Sequence, residues 1–311
     1  MSKDAWSGRD VLSILDFSRP DIELLFGEAS SIVDSPQLVK KSLSDKIVAT
    51  AFFEPSTRTR LSFSAAAHKL GAEVIDLSPD VSSVLKGESF PDTIRMLDGY
   101  CDLIVMRHPS EGAALLASEV ASVPIVNGGD GSQHHPSQAM LDLFTVKRLK
   151  GEIDGLNYAV LGDIRYARSA TSFLYGLSKF NPGIVHLVSP GSLRPRKEVK
   201  DTLKEIGLKT EQHDDLESVI ADVDVIYMTR IQKERFPDPN DYEKVKGSYR
   251  ITRTSLANAK KGSIILHALP RTNELAYEVD SLPNAAYMKQ ARFGVPVRMA
   301  LLDLVLGGSK K

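Results

Sequence analysis

Two stretches of this chain concentrate side chains that handle anions. The first reads Phe53-Glu54-Pro55-Ser56-Thr57-Arg58-Thr59-Arg60, between an apolar run of strand length and a helix-forming segment that ends at Gly71. Ser56 or Thr57 can cap that helix, whose first amides have no intrahelical partner. Backbone amides, hydroxyls and a guanidinium at one helix N-terminus suit a phosphate. Alone, a Ser-Thr-x-Thr run is more often a plain capped helix with exposed arginines. Its place at the carboxyl end of a strand, where open α/β sheets bind ligands, favours the anion site. The second stretch is Thr229-Arg230-Ile231-Gln232-Lys233-Glu234-Arg235. A planar guanidinium matches a carboxylate bidentately, and a glutamine amide adds a neutral donor. Arg168, after a different strand, supplies a second guanidinium. Either arginine alone would read as surface charge; with Gln232 the set reads as a dicarboxylate site.

The elements that must position these residues alternate. Apolar runs of strand length fall at 46–53, 73–77, 102–107 and 124–127, then at 157–162, 184–189, 209–213, 225–229 and 263–267. Helical periodicity falls between them at 58–70, 137–149, 168–179 and 197–206, and again at 295–306 near the end. Such alternation predicts an α/β fold of two doubly wound parallel-sheet domains joined by long helices. The expected division is 1–136 with 287–311, and 137–286. Gly151 and Gly155 follow the long middle helix and read as a hinge. Residues 232–250 carry many charges, two prolines and little periodicity, which reads as a solvated loop of a length that is often functional.

Composition excludes several classes. The 311 residues exceed the usual size of one core. A net charge of −1, from 39 Lys and Arg against 40 Asp and Glu, gives no general attraction to nucleic acid or an anionic membrane. No stretch is apolar enough for a membrane span, and the N-terminus lacks a signal-peptide pattern, so a cytoplasmic protein is expected. The single Cys101 cannot form an internal disulfide or a thiolate zinc site and reads as core. His134-His135 lacks a third ligand at suitable spacing, so no metal is assigned, and His135 reads as a neutral hydrogen-bond donor. Gly128-Gly129-Asp130-Gly131 and Gly162-Asp163 do not supply the Gly-x-Gly-x-x-Gly of a dinucleotide site, and no cofactor is assigned.

Ser56-Thr57-Arg58-Thr59-Arg60 resembles the carbamoyl phosphate signature of the aspartate and ornithine carbamoyltransferases. His135-Pro136-Ser137-Gln138 is similar to that family's second signature. Arg107-His108-Pro109 matches its next phosphate-side arginine, and Ser82 with Lys86-Gly87-Glu88 resembles the loop that enters a neighbouring subunit's site. The matches run in family order from Ser56 to Pro270. Arg230-Ile231-Gln232 resembles the aspartate branch. The Ser-Met-Gly loop and His-Cys-Leu-Pro segment of the ornithine branch are missing, the latter replaced by His267-Ala268-Leu269-Pro270. The chain departs from the pattern at Ala167, Ser169, Ala268 and Ser64, none of which removes a charged ligand.

The resemblance implies transfer of a carbamoyl group from carbamoyl phosphate to the amine of L-aspartate, an early step of de novo pyrimidine biosynthesis, without a covalent intermediate. Ser56, Thr57, Arg58, Thr59, Arg107 and a neighbour's Ser82 and Lys86 would hold phosphate. Arg58, Thr59 and His135 would polarise the carbamoyl oxygen. Gln138 and the carbonyl of Leu269 would orient the carbamoyl nitrogen, with a cis Leu269–Pro270 bond. Arg168, Arg230 and Gln232 would receive aspartate. Glu54 and Arg235 resemble partners that tie the domains together on closure. A homotrimer with shared sites follows from the same resemblance, and a separate regulatory chain is compatible with it. Three other readings stay open: the ornithine branch, a catalytically silent phosphate-ligand binding protein, and a nicotinamide-dependent oxidoreductase.

Overall fold

The computed structural model describes residues 3–233, 236 and 238–307. They form two compact units, one running through Leu141 and resuming at Arg292, the other Asp142–Ala291. Each unit is built on a parallel sheet with interleaved helices.

In the first unit the strands are β1 (Ile47–Phe52), β2 (Glu73–Leu77), β3 (Leu103–His108) and β4 (Ile125–Asp130), in the order β2-β1-β3-β4. Helices α1 (Arg19–Asp34), α2 (Arg58–Lys69), α3 (Phe90–Asp98) and α4 (Ala113–Val120) accompany them. The inner strands are apolar on both faces, as a covered parallel sheet requires. Ala49, Ala51, Ile104 and Met106 are fully buried against Ile94, Ala114 and Ala117 from α3 and α4. The chain winds from β1 outward to β2, then crosses to β3 on the other side. The ends of β1 and β3 are therefore the switch point of this sheet, where loops diverge and leave a crevice.

Helix α5 (Pro136–Lys150) leads to the second unit, with β5 (Tyr158–Leu161), α6 (Arg168–Leu177), β6 (Val185–Val188), α7 (Lys197–Glu205), β7 (Thr210–His213), β8 (Val225–Met228), α8 (Pro239–Val245) and β9 (Ile264–His267). The order is β7-β6-β5-β8-β9, with the switch point between β5 and β8. Its core joins Ala159, Leu161, Ile226, Met228 and Ile265 from the sheet to Leu216, Val219, Ile220 and Val279. The last helix, α9 (Tyr287–Leu306), spans the return to the first unit.

Two expectations need correction. Residues 232–250 are not all loop, because Pro239–Val245 forms α8, its N-terminus capped by the Asp238 carboxylate, which accepts from Asn240 N–H at 2.8 Å. Helix α9 begins at Tyr287 rather than 295. Gly294 and Pro296 look like a helix start in the sequence but lie inside it, and Arg298 Nη1 donates to the Gly294 carbonyl at 3.2 Å. The two compact units divide inside α5, after Leu141, and inside α9, after Ala291. Cys101 lies just before β3 and is half-buried. Its thiol donates to the Leu97 carbonyl, and burial pushes its pKa to about 11, leaving no thiolate nucleophile near neutral pH.

Candidate active site

The phosphate-type residues gather at the first switch point. Strand β1 ends at Phe52, α2 begins at Arg58, and Arg107 sits opposite Phe52 in the register of β3. Arg107 Nε donates to Glu54 Oε1 at 2.7 Å and Nη1 to Ser56 Oγ at 3.1 Å. The Glu54 carboxylate fixes the guanidinium plane, and both groups are mostly shielded from water. Thr57 occupies the N-cap position of α2 with helical dihedrals and makes no side-chain cap hydrogen bond. The expected cap by Thr57 is thus absent, and Ser56 is engaged by Arg107 instead. The helix entrance keeps its dipole facing the switch point without a side-chain oxygen occupying it.

Thr59 and His135 meet from separate elements. Both are buried, and Thr59 Oγ1 lies 3.4 Å from His135 Nε2. Ser137 Oγ lies 3.4 Å from His135 Nδ1. With the Ser137 hydroxyl donating to Nδ1, the proton of a neutral imidazole resides on Nε2, the form that can donate to an oxygen beside Thr59. Gln138 is in the first turn of α5, where its N–H donates to the His135 carbonyl at 3.0 Å. His134 turns elsewhere, its Nδ1 lying 3.3 Å from Ser13 Oγ. A Cβ on Gly128 would lie 3.0 Å from the Met106 carbonyl and 3.4 Å from the Thr59 methyl, so glycine there lets β4 pass close under this pair.

Ser82 and Lys86 belong to a different segment, the short turn Ser83–Lys86 closed by Gly87 at φ 92°. The Ser82 hydroxyl accepts from Val84 N–H and donates to the Pro79 carbonyl, so it is spent inside its own turn. Lys86 is exposed.

In the second unit Arg168 opens α6 after β5, and Arg230 and Gln232 follow β8, so both stretches emerge at the second switch point. Arg168 is buried, whereas Arg230 and Gln232 are half-buried. Two residues given no positioning role from sequence hold these loops together. Thr229 Oγ1 lies 3.0 Å from the Leu161 carbonyl and 3.1 Å from that of Asp163. The Asp163 carboxylate accepts from Tyr166 N–H at 2.8 Å and from Gln232 N–H at 3.4 Å. Asp163 is fully buried, and burial pushes its pKa to about 6, against the pull of those amides and of Arg230. Gly162, at φ 106°, admits the crossing because a Cβ there would lie 2.4 Å from the Thr229 carbonyl oxygen.

Beyond β9 the Leu269–Pro270 peptide is cis, as the resemblance implies, and Leu269 has φ 58°. Leu269 N–H donates to His267 Nδ1 at 2.8 Å, which leaves the His267 proton on Nε2 for Glu274 Oε1, also at 2.8 Å. Burial alone would raise the Glu274 carboxyl, but hydrogen bonds from His267 and Thr272 outweigh it and bring it down to about 2. The His267 N–H in turn donates to Gln290 Oε1, Gln290 Nε2 donates to Asp142, and the Tyr227 hydroxyl donates to the same carboxylate. A polar chain thereby runs from Tyr227 through Asp142, Gln290 and His267 to the Leu269 N–H. Arg235 lies outside the described residues, and Glu54 is engaged with Arg107.

Residues 9–148 match the family described as aspartate/ornithine carbamoyltransferase, carbamoyl-P binding domain, and residues 154–305 match its Asp/Orn binding domain. The chain belongs to the aspartate/ornithine carbamoyltransferase family. Within that family, it is 57% identical over 302 residues to the aspartate carbamoyltransferase catalytic subunit of Thermofilum pendens, covering 97% of this chain and 96% of that one. It is 54% identical to the corresponding subunit of Hyperthermus butylicus, covering 98% of each. A crystal structure of aspartate transcarbamoylase from Trypanosoma cruzi, in complex with carbamoyl phosphate and aspartate, superposes with a TM-score of 0.94 at 36% identity. That match covers 98% of this chain and 99% of that one. The catalytic subunit of the M. jannaschii aspartate transcarbamoylase gives 0.86 at 49% identity over 95% and 97%. The carbamoyltransferase fold therefore runs through both units.

Proposed function

We propose that this chain transfers the carbamoyl group of carbamoyl phosphate to L-aspartate, giving N-carbamoyl-L-aspartate and phosphate, the pyrimidine-forming reaction. The observation that carries the reading is the pairing of chemistry with switch point. Arg107, Ser56 and the entrance of α2 form an oxyanion-binding end of one sheet, while Arg168, Arg230 and Gln232 stand at the corresponding end of the other.

Carbamoyl phosphate is already activated, so the aspartate amine attacks its carbonyl carbon directly and a tetrahedral oxyanion forms before phosphate leaves. Both substrates are dianions near neutral pH. Each pair of like unit charges about 4 Å apart opposes approach by roughly 4 kcal/mol at an effective dielectric near 20. Arg58, Lys86, Arg107, Arg168 and Arg230 offset that repulsion. Ser56, Thr57, Arg58, Thr59 and Arg107 hold the phosphate. Arg58, Thr59 and the Nε2–H of His135 serve the developing oxyanion, a role often worth a hundredfold or more in rate. Gln138 and the Leu269 carbonyl, beside Pro270, orient the carbamoyl nitrogen. Arg168, Arg230 and Gln232 take the aspartate carboxylates. The departing phosphate accepts the amine proton.

Lys86 fits this scheme as a donor to a neighbouring subunit, since it is exposed, while Ser82 would have to give up its bond to the Pro79 carbonyl to join it. This reading makes the protein a cytoplasmic homotrimer with shared sites, open to a separate regulatory chain. Purified protein given carbamoyl phosphate is expected to form carbamoyl aspartate and no citrulline from ornithine. Product from ornithine would overturn the assignment of Arg230 and Gln232. Silence with both acceptors would favour a phosphate-ligand binding protein. Mixing inactive Lys86→Ala and Arg58→Ala chains is expected to restore part of the activity; no recovery after demonstrated subunit exchange would contradict shared sites.

A further inference from the structure

Three side chains that the proposed reaction does not use converge on the outer edge of the second sheet. His186 of β6 pairs in register with Glu211 of β7, and Val188 pairs with His213. Alternation along parallel strands then puts Glu211 and His213, two apart, on the same face as His186. His186 Nδ1 lies 3.0 Å from His213 Nε2, and Glu211 Oε2 lies 3.8 Å from the first and 3.7 Å from the second.

Those three separations define a common centre. The point equidistant from the corners of that triangle lies about 2.05 Å from each atom. Zinc bonds to imidazole nitrogen at about 2.0–2.1 Å and to carboxylate oxygen at about 2.0–2.2 Å. An ion displaced slightly from the plane keeps all three bonds within that range and turns a fourth position toward water. The burial gradient suits this geometry: His186 is buried, His213 half-buried and Glu211 exposed, so one side remains open. One proton now lies between the two rings; a shift of tautomer moves it to the far side of its own ring and frees both nitrogens.

We propose that His186, Glu211 and His213 form a binding site for a divalent transition ion of the zinc, cobalt or nickel class. Two imidazoles and one carboxylate select such ions over calcium and magnesium, which take all-oxygen shells. Strand β7 is the sheet edge, held to β6 on one side only. An ion bridging His186 to Glu211 and His213 pins that edge strand and stabilises the folded unit by mass action.

Cobalt(II) titration of the full, metal-stripped protein near pH 7.5 tests this directly. The expected result is one equivalent per chain, with visible absorption bands of a four- or five-coordinate ion and a rise in Tm with zinc(II). His213→Asn and, separately, the exposed Glu211→Gln are expected to weaken cobalt binding by at least about tenfold. Both variants should keep wild-type carbamoyl transfer and circular dichroism. Wild-type protein that binds no cobalt, or two folded variants that bind it as tightly as wild type, would overturn the proposal.

Discussion

Replacing Asp163 by asparagine removes a charge from the middle of the second sheet's switch point, where the carboxylate joins the loop before Arg168 to the loop carrying Gln232. Its folded pKa of about 6 lies above the ordinary 3.8, so protonation favours the folded state. The cost of holding it ionised is fully present above about 6 and vanishes below 3.8. A shift of that size corresponds to about 3 kcal/mol. Asparagine escapes this cost. It keeps one acceptor, however, and sets an NH2 group against a backbone N–H, leaving a buried donor unpaired at about 1–3 kcal/mol. The two effects largely cancel, so the unfolding free energy near neutral pH is expected to change by about 2 kcal/mol or less. Activity does not share that cancellation. The Gln232 segment loses its anchor, and the KM for aspartate is expected to rise roughly tenfold to a hundredfold while that for carbamoyl phosphate holds. Urea unfolding across mildly acidic to neutral pH, with steady-state kinetics on the same samples, measures both. An unchanged KM for aspartate would refute the positioning role. Equal pH dependence of stability in the two proteins would refute the buried ionised carboxylate.

Further predictions concern the other elements of the site. Glu54→Gln weakens the hold on Arg107 and is expected to raise the KM for carbamoyl phosphate roughly tenfold with the Tm little changed, read by initial rates and a thermal scan. His135→Ala removes the Nε2–H donor beside Thr59 and should lower kcat about a hundredfold; a loss below about threefold would remove His135 from the oxyanion role. Glu274→Gln tests the acid side of the Leu269 loop. Because its folded pKa of about 2 lies below the ordinary 4.5, its ionised form contributes about 3 kcal/mol, present above pH 4.5 and lost as pH falls toward 2. The stability gap between wild type and variant, from denaturant curves at stepped pH, is expected to shrink across that window.

Strand content was readable because buried parallel strands are written as short apolar runs, and each of the runs from 46–53 to 263–267 contains or closely overlaps a strand. The α2 entrance was readable for a similar reason, since the chemistry sits in consecutive residues, 56 to 60. Failures came where one local signal masks another or where the decisive partner is distant in sequence. Helix α8 lies in a segment whose charges mask a short capped turn. The start of α9 was hidden by Gly294 and Pro296, whose disruptive effect is offset by Arg298 reaching back to the Gly294 carbonyl. Asp163 looked like half of a weak glycine motif, because its partner Gln232 is 69 residues away.

The same contrast explains which side chains carry positioning in this protein. Groups proposed to face substrate, such as Arg58 and Arg168, begin helices after strands, so local sequence announces them. Groups that hold other groups in place, such as Gln290 on the His267 amide and Asp142 on the Tyr227 hydroxyl, sit on α9 and α5 and act across separations of 23 and 85 residues. A long-range hydrogen bond to a buried amide carries no local pattern, yet its loss leaves an unsatisfied polar group at the carboxyl end of a strand. His186, Glu211 and His213 follow the same logic at the sheet edge. Nothing in Glu-x-His announces a ligand set until the β6–β7 register supplies the second imidazole. Strand pairing, rather than any contiguous motif, is therefore what turns ordinary residues of the second unit into sites.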